Sequence, residues 1–200
     1  TMDNAIVVTL IRHLPTQANR DKKYIGWTDE SILAGLKTKK IACETNEIIG
    51  SDLIRCKQTA AQLFSGVPYT DNANFRECSF GDWENKTYND LKEEASYRKW
   101  LDNPLQLAPP NGESMQTMEN RVLKAFLAAF EKFEEPVIIT HGGPIRFLLT
   151  KFASVEKNFW DWEVPHGSMF TMYWTDKKAV LEGTRCTSFS VEHLMENERM

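Results

Sequence analysis

The sequence predicts an α/β protein, a three-layer sandwich in which helices flank a mostly parallel central sheet. Two apolar runs, "AIVVTLI" at 5–11 and "PVIIT" at 136–140, have the composition of strands that are covered on both faces. Helical patterns lie between them, and alternation of strands with helices is typical of layered α/β domains. We treat residues 1–200 as a single domain, because this length can bury one substantial core.

Three segments have helical patterns. The clearest covers residues 114–133, where apolar residues recur at intervals of three and four and Ser114 can cap the first turn. Residues 54–64 and 144–153 are also expected to be helical. Near the end of the sequence, "SMFTMYWT" and "KAVLEGT" are separated by Asp176-Lys177, which predicts a β-hairpin.

Residues 81–113 differ from the rest in being rich in Trp, Asn, Glu and Pro. We interpret them as an inserted lid with one helix near 88–101. Its aromatic side chains can stack on an aromatic ligand or form the core of the insertion itself. We expect the second role for at least half of the four, which are Trp83, Tyr88, Tyr97 and Trp100.

The composition is that of an ordinary globular protein, with 42% hydrophobic and 26% charged residues. The net charge of −4 and the lack of basic blocks argue against a nucleic-acid partner. No apolar run approaches membrane-spanning length, and no signal-peptide pattern is visible, so we expect a cytoplasmic protein. The oligomeric state is left open. We expect reduced thiols at the four cysteines, Cys43, Cys56, Cys78 and Cys186.

Two predicted strands each end in a histidine, in "VVTLIRH" and "VIITHGGP". Ligands of α/β proteins bind beyond the carboxyl ends of the strands. A single histidine at a strand end is more often structural, but His13 and His141 occupy equivalent positions and are therefore expected to act together. His166 and His193 have no such setting and are interpreted as structural.

Several residues near these histidines can bind an anion. The planar fork of Arg12 suits a phosphate group, and Arg12 adjoins His13. Gly142 and Gly143 open a predicted helix beside His141, where backbone amides either bind an anion or simply form a connecting turn.

Two further residues carry weaker signals when taken alone. Arg55 lies at the start of a predicted helix, where an arginine is usually a surface residue. Glu77 lies in a loop near Phe75, Phe80 and Trp83; it is either an exposed glutamate or a desolvated carboxyl group that acts as a general acid.

Other chemistries lack their motifs. The sequence contains no G-x-S-x-G, no P-loop, no G-x-G-x-x-G and no D-x-D pair, and no cysteine is followed six residues later by arginine. It also lacks H-x-H and H-E-x-x-H, so we expect no catalytic metal and no cofactor. The remaining hypothesis is a histidine nucleophile, with arginines and a second histidine holding a phosphoryl group.

Six segments occur in the order found in one enzyme family: "LIRHLPTQAN", "GWTD", "GSDLIRCKQTA", "FRECSFGDWEN", "PPNGES" and "VIITHGGPIR". In these segments the chain resembles the histidine phosphatase superfamily, from about Ile6 to Phe147. The insertion is most similar to that of α-ribazole phosphatases and related small bacterial phosphatases. One motif departs from the family, because Leu14 and Pro15 replace the glycine and variable residue of R-H-G-x-T. A bulkier and stiffer phosphate loop is therefore expected.

The resemblance implies a role for each of five residues. His13 would attack the phosphorus of a small phosphomonoester, such as α-ribazole 5′-phosphate, and become phosphohistidine. Arg12, Arg55 and His141 would hold the phosphate oxygens. Glu77 would protonate the leaving oxygen and then activate water.

The same resemblance places further residues at the substrate. Thr16 and Asn19 would add neutral hydrogen-bond donors to the phosphate. Ile25, Gly26 and Gly142 are also expected to bind the substrate.

Two alternative functions remain open at this point. The first is a cofactor-dependent phosphoglycerate mutase, which is disfavoured because members of that branch carry a longer insertion and tail. The second is a catalytically weak member that binds a phosphate ligand or a protein. It is disfavoured because the chain retains the whole reactive set, Arg12, His13, Arg55, Glu77 and His141.

Overall fold

The computed structural model of the protein describes residues 5–39, 41 and 45–196. Six strands form one sheet, and its order is β3-β2-β4-β1-β5-β6. In chain order the strands are β1 (Ile6–Arg12), β2 (Ile48–Gly50), β3 (Tyr69–Asp71), β4 (Val137–Thr140), β5 (Ser168–Trp174) and β6 (Ser188–His193).

Helices cover both faces of the sheet. One face packs on the larger core, to which α5 and α6 contribute Phe126 and Leu148. The opposite face packs on a second cluster that includes Cys56 and Ala60 from α2. The predicted three-layer α/β architecture is therefore confirmed. The helices are α1 (Gln17–Arg20), α2 (Ile54–Leu63), α3 (Tyr88–Leu91), α4 (Ala95–Asp102), α5 (Met115–Lys132), α6 (Gly142–Phe152) and α7 (Lys177–Leu181).

Strand direction decides which loops meet. β1, β4, β2 and β3 run parallel, whereas β5 is antiparallel to β1 and β6 is antiparallel to β5. Arg12 lies opposite Thr140, and Ile11 lies opposite Met169. The residues after β1, the residues after β4 and the residues before β5 therefore share one edge of the sheet.

The predicted late hairpin is wrong. Residues 177–181 form helix α7, and the strand that pairs with β5 is β6, at 188–193. The side chain of Asp176 accepts a hydrogen bond from the Ala179 amide at 2.9 Å, which starts a helix where the sequence pattern indicated a turn.

The inserted segment contains two helices where one was predicted near 88–101. Helix α3 begins with a capping box between Thr87 and Asp90, and α4 follows after three residues. The ends of the segment lie together, because the Asp82 amide donates to the Pro110 carbonyl at 2.9 Å and the Glu113 amide donates to the Ser79 carbonyl at 3.1 Å. That the segment moves as a lid remains a prediction.

The insertion has a small core of its own, formed by Trp83, Leu91, Tyr97 and Trp100. Tyr88 is 56% exposed and lies at its margin. The packing interpretation therefore holds for three of the four aromatic residues that the sequence singled out.

Three cysteines are buried and free, namely Cys56, Cys78 and Cys186. Cys43 lies outside the described residues. Among the residues that the structure describes, no helix is long and apolar enough to cross a membrane.

Candidate active site

The register of β1 and β4 brings the two strand-end histidines together. His13 follows β1, His141 follows β4, and the His13 amide donates to the Thr140 carbonyl at 3.0 Å. The two imidazole centroids are 5.0 Å apart, and both side chains are almost fully buried. The structure therefore brings this pair together at the carboxyl edge of the sheet.

His13 has one nitrogen fixed and one left for chemistry. Its Nδ1 lies 2.7 Å from the Leu14 carbonyl oxygen, which can only accept a hydrogen bond, so Nδ1 carries the proton. Nε2 then keeps its lone pair. Burial, followed by the positive charge of Arg55, holds the pKa of His13 well below its ordinary value. The neutral imidazole is the form that a nucleophile requires.

His141 is held on both sides by the protein. Its Nδ1 accepts a hydrogen bond from Nε of Arg55 at 3.3 Å, so Nε2 carries the proton and donates to Oγ of Ser51 at 2.8 Å. Burial is the main reason why the pKa of His141 lies well below its ordinary value. In this geometry the imidazole orients Arg55.

Arg55 is completely buried and anchored by backbone carbonyls. Its terminal nitrogens donate to the Thr28 oxygen at 2.7 Å and to the Gly26 oxygen at 2.6 Å. The carboxylate of Glu84 holds this loop in turn, accepting from the amides of residues 26, 27, 28 and 80 and from the Thr28 hydroxyl. Each terminal nitrogen of Arg55 retains a second hydrogen for a ligand.

Arg12 lies at the other side of the histidine pair. One of its terminal nitrogens donates to the Val164 carbonyl, while its buried Nε has no partner among the described residues. Burial lowers the pKa of Arg12 to about 10, although the nearby Glu77 opposes this shift. The guanidinium covers Gly142, where a Cβ atom would lie 3.2 Å from Cζ.

The guanidinium groups of Arg12 and Arg55 lie near the histidine pair, with Arg55 fully buried and Arg12 partly buried. In the described part of the chain, neither forms an ion pair with a carboxylate within 4 Å. Buried charges are costly without a partner, and each guanidinium lowers the pKa of both histidines. This arrangement suits an anionic ligand.

Glu77 is held by two backbone amides. Its Oε2 accepts from the Gly143 amide and its Oε1 from the Cys78 amide, both at 2.9 Å. A Cβ atom at Gly143 would lie 2.2 Å from Oε1, so only glycine permits this approach. The start of α6 thus holds the carboxyl group of Glu77.

Thr16 and Asn19 form a capping box at the start of α1. The amide and hydroxyl of Thr16 both donate to Oδ1 of Asn19, and the Asn19 amide donates to the Thr16 hydroxyl. Thr16 is fully buried in this role, whereas Asn19 also lines the cavity described below. Ile25 lines the same cavity, while Gly26 serves as an anchor of Arg55.

Leu14, which replaces the family glycine, is accommodated inside the protein. Its side chain is fully buried and its amide donates to the Thr59 hydroxyl at 2.9 Å. Its Cδ2 atom lies against Gly167, within 3.2 Å of the position that a Cβ atom there would take. The bulky residue therefore packs between the phosphate loop and the turn before β5.

A cavity of about 540 Å³ adjoins Arg12, Glu77 and Gly143. It is lined largely by aromatic and apolar side chains, including Tyr24, Phe80, Trp100, Met118 and Trp160. The histidines lie beside this cavity, not on its wall. The geometry thus separates a small polar site around the histidines from a larger, mainly apolar cavity.

Sequence reasoning missed two residues of this region. His166 was interpreted as structural, yet its ring centroid is 5.2 Å from that of His13, because β5 is antiparallel to β1. Arg146, one turn into α6, lines the cavity and donates to the Trp162 carbonyl at 3.0 Å. The position of Arg146, three residues after Gly143 in a predicted helix, could have placed it near the site. The position of His166 could be found only from the pairing of β5 with β1.

The model of the histidine phosphatase superfamily, branch 1, matches residues 8–187. The chain belongs to this superfamily. It is accordingly a phosphatase, as the six ordered motifs predicted.

Relatives of this phosphatase fall into two groups. The adenosylcobalamin/alpha-ribazole phosphatase of Escherichia coli is 27% identical over 198 residues, which are 92% of this chain and 98% of that one. A probable phosphoglycerate mutase, GpmB, of Salmonella arizonae is 32% identical over 150 residues, or 68% of this chain and 69% of that one. The solved structure of a putative alpha-ribazole-5′-P phosphatase from Escherichia coli has the same fold, with a TM-score of 0.77, 24% identity and 96% coverage of both chains.

Acid should destabilise this phosphatase through its buried imidazoles. The pKa values of His13 and His141 are well below 6.5 in the folded state, and burial lowers that of His166 to about 3. Below pH 6.5 the unfolded chain binds protons that the folded chain does not, so stability falls as the pH falls. Between pH 7.0 and 5.5 the three groups together should cost about 4 kcal/mol of unfolding free energy.

Urea denaturation at the two pH values measures this difference. His141→Asn should remove about a third of the loss, whereas the same change at exposed His193 should leave it intact. A loss below about 1 kcal/mol would show that the three imidazoles are not buried as neutral groups.

Proposed function

We propose that the protein hydrolyses phosphomonoesters without a metal ion, through a phosphohistidine intermediate on His13. The observation that carries this proposal is the unprotonated Nε2 of His13 beside two guanidinium groups that lack a counter-charge. Phosphoryl transfer depends mainly on positioning and on charge stabilisation, and both are supplied by these three side chains.

In the first step the lone pair of His13 Nε2 attacks phosphorus. The N–P bond forms as the P–O bond to the leaving group breaks, and the negative charge of the transition state faces Arg12 and Arg55. The proton stays on Nδ1, which donates it in a hydrogen bond to the Leu14 carbonyl, and this carbonyl stabilises the positive charge that develops on the ring. Glu77, at the boundary between the phosphate site and the cavity, gives a proton to the leaving oxygen.

In the second step the Glu77 carboxylate takes a proton from water. The resulting hydroxide attacks phosphorus, the N–P bond breaks, and the electron pair returns to His13 Nε2. The amides of Cys78 and Gly143 hold the carboxyl group in place through both steps. One carboxyl group therefore serves as acid and then as base.

The cavity favours a substrate whose leaving group contains a flat aromatic ring. Tyr24, Phe80, Trp100 and Trp160 supply aromatic surface on its wall, and Met115 and Met118 supply polarisable apolar surface. A relative of 27% identity is named for α-ribazole phosphate hydrolysis. We therefore propose a small-molecule substrate, with α-ribazole 5′-phosphate as the first candidate.

Phosphoglycerate mutase activity is the second candidate, because a probable phosphoglycerate mutase is 32% identical to this chain. Arg146 and Lys23 on the cavity wall could meet the carboxylate of a phosphoglycerate. The predominance of aromatic and apolar groups makes the hydrolase the better supported proposal. Incubation with 3-phosphoglycerate and a bisphosphoglycerate primer distinguishes free phosphate from an isomer.

Replacement of the nucleophile should remove the activity. His13→Ala is expected to lower phosphatase activity by several orders of magnitude and to abolish an acid-labile, base-stable phosphoenzyme. The matched variant His193→Ala should retain both. EDTA should leave the wild-type rate unchanged, and strong inhibition that a divalent ion reverses would contradict the proposed mechanism.

The effect of removing the acid group of Glu77 should depend on the leaving group of the substrate. Glu77→Gln should lower kcat/KM for an alkyl phosphate by about 10²- to 10⁴-fold, because the poor leaving group needs a proton. The loss for p-nitrophenyl phosphate should be below about tenfold, since nitrophenolate leaves without one. Equal losses on both esters would exclude Glu77 from this role.

The aromatic residues that line the cavity should affect which substrates the protein prefers. Trp160, which is 65% exposed and lines the cavity, should contribute by stacking. Trp160→Ala is expected to raise KM for α-ribazole 5′-phosphate about 2- to 10-fold and to leave KM for 3-phosphoglycerate unchanged. Tyr173→Ala, an exposed aromatic position on β5, is the control. Identical effects of both variants would argue against the assigned leaving-group cavity.

A further inference from the structure

A third imidazole lies against the nucleophile. The ring centroid of His166 is 5.2 Å from that of His13 at an interplanar angle of 60°, nearly the same relation that His141 has to His13 on another side. The proposed mechanism uses His13 as the nucleophile, and His141 orients Arg55, but neither gives His166 a role.

The turn that carries His166 is built onto the phosphate loop. The Gly167 amide donates to the Arg12 carbonyl at 3.1 Å and approaches the His13 carbonyl at 3.4 Å. Gly167 has φ of +70°, a conformation that suits glycine, and its carbonyl accepts from the Leu194 amide. Both the amide and the hydroxyl of Ser168 donate to the Pro165 carbonyl. His166 is therefore held in a fixed position relative to the nucleophile.

One nitrogen of this imidazole lacks a partner. The Nε2 atom of His166 is buried and forms no hydrogen bond with any described residue. Buried polar atoms are nearly always paired, and an orphaned one in a well-built turn requires an explanation. A histidine with a purely structural role would use this nitrogen inside the protein.

The surroundings of His166 indicate what the partner is. Burial, together with the positive charges of Arg12 and Arg55, lowers its pKa to about 3, so the imidazole is neutral at physiological pH. It therefore does not repel the two guanidinium groups, and it offers one N–H donor. The unpaired Nε of Arg12 belongs to the same region. An anion with several acceptor oxygens would satisfy both orphaned nitrogens at once.

We propose that His166 is a further phosphate-binding residue, which donates a hydrogen bond from Nε2–H to an oxygen of the phosphoryl group transferred to His13. This proposal rests on the proposed function, since it requires a phosphoryl group at that position. His166 acts as a fixed neutral donor: its proton stays on Nε2 throughout, and no bond to it forms or breaks. Its contribution is to the charge that the oxygens carry in the transition state.

Orthovanadate, which adopts the geometry of phosphoryl transfer, is the probe. Its inhibition constant is measured against p-nitrophenyl phosphate for the wild type, His166→Phe, His166→Gln and the control His193→Phe. Phe keeps a ring and removes the donor, whereas the side-chain amide of Gln restores an N–H near the position of Nε2. Thermal unfolding of each variant reports on the fold. If the Phe variant does not fold, His166→Leu takes its place.

We expect His166→Phe to raise the inhibition constant about 10- to 100-fold, the range for loss of a hydrogen bond to a charged group. The Gln variant and the control should stay within about threefold of the wild type. An unchanged constant in the Phe variant, or equal weakening in the Phe and Gln variants, would overturn the proposal.

Trapping of the phosphoenzyme separates this proposal from the one on which it rests. A wild-type protein that never forms phosphohistidine contradicts the proposed function. A wild type that forms it, together with a Phe variant that binds vanadate normally, contradicts only the role of His166.

Discussion

The parallel pairing of β1 with β4, in the register that sets Arg12 opposite Thr140, is the constraint on which the site depends. It fixes the distance between the residues that follow the two strands, His13 and His141, before any side-chain interaction is considered. A shift of one residue would turn every side chain of the strand to the other face of the sheet. Apolar residues of β1 and β4 pack into a hydrophobic cluster on each face of the sheet.

Around this pair the protein places two guanidinium groups, and neither has a carboxylate within 4 Å among the described residues. Arg55 is fully buried and is positioned by carbonyls and by His141, not by a carboxylate. Burial and these cations keep the imidazoles neutral, so His13 retains a lone pair. The nearby carboxyl groups do not pair with these arginines. Glu84 holds the loop that anchors Arg55, and Glu77 is bound at the start of α6. Two guanidinium groups that no carboxylate pairs with are the feature on which the proposed binding of an anion rests.

Patterns local in sequence predicted much of this structure. The apolar runs identified β1 and β4, and the two strand-end histidines could be paired because parallel strands end at a common edge. The failures have one cause, which is that non-local contacts are invisible in a single sequence. The segment at 177–181 contains a short apolar run that is also compatible with a strand, and the cap at Asp176 starts a helix there. His166 lies 153 positions from His13 along the chain and reaches it only because β5 runs antiparallel to β1. The sequence identified Arg55 as a candidate site residue, but it could not predict that carbonyls of a distant loop would hold the side chain.

A crystal structure of the protein with orthovanadate tests the central claim most directly. The account predicts vanadium bonded to Nε2 of His13, with the vanadate oxygens within hydrogen-bond distance of Arg12 and Arg55. Vanadate bound elsewhere, or bound near the arginines while His13 Nε2 remains unbonded and turned away from it, would contradict the account.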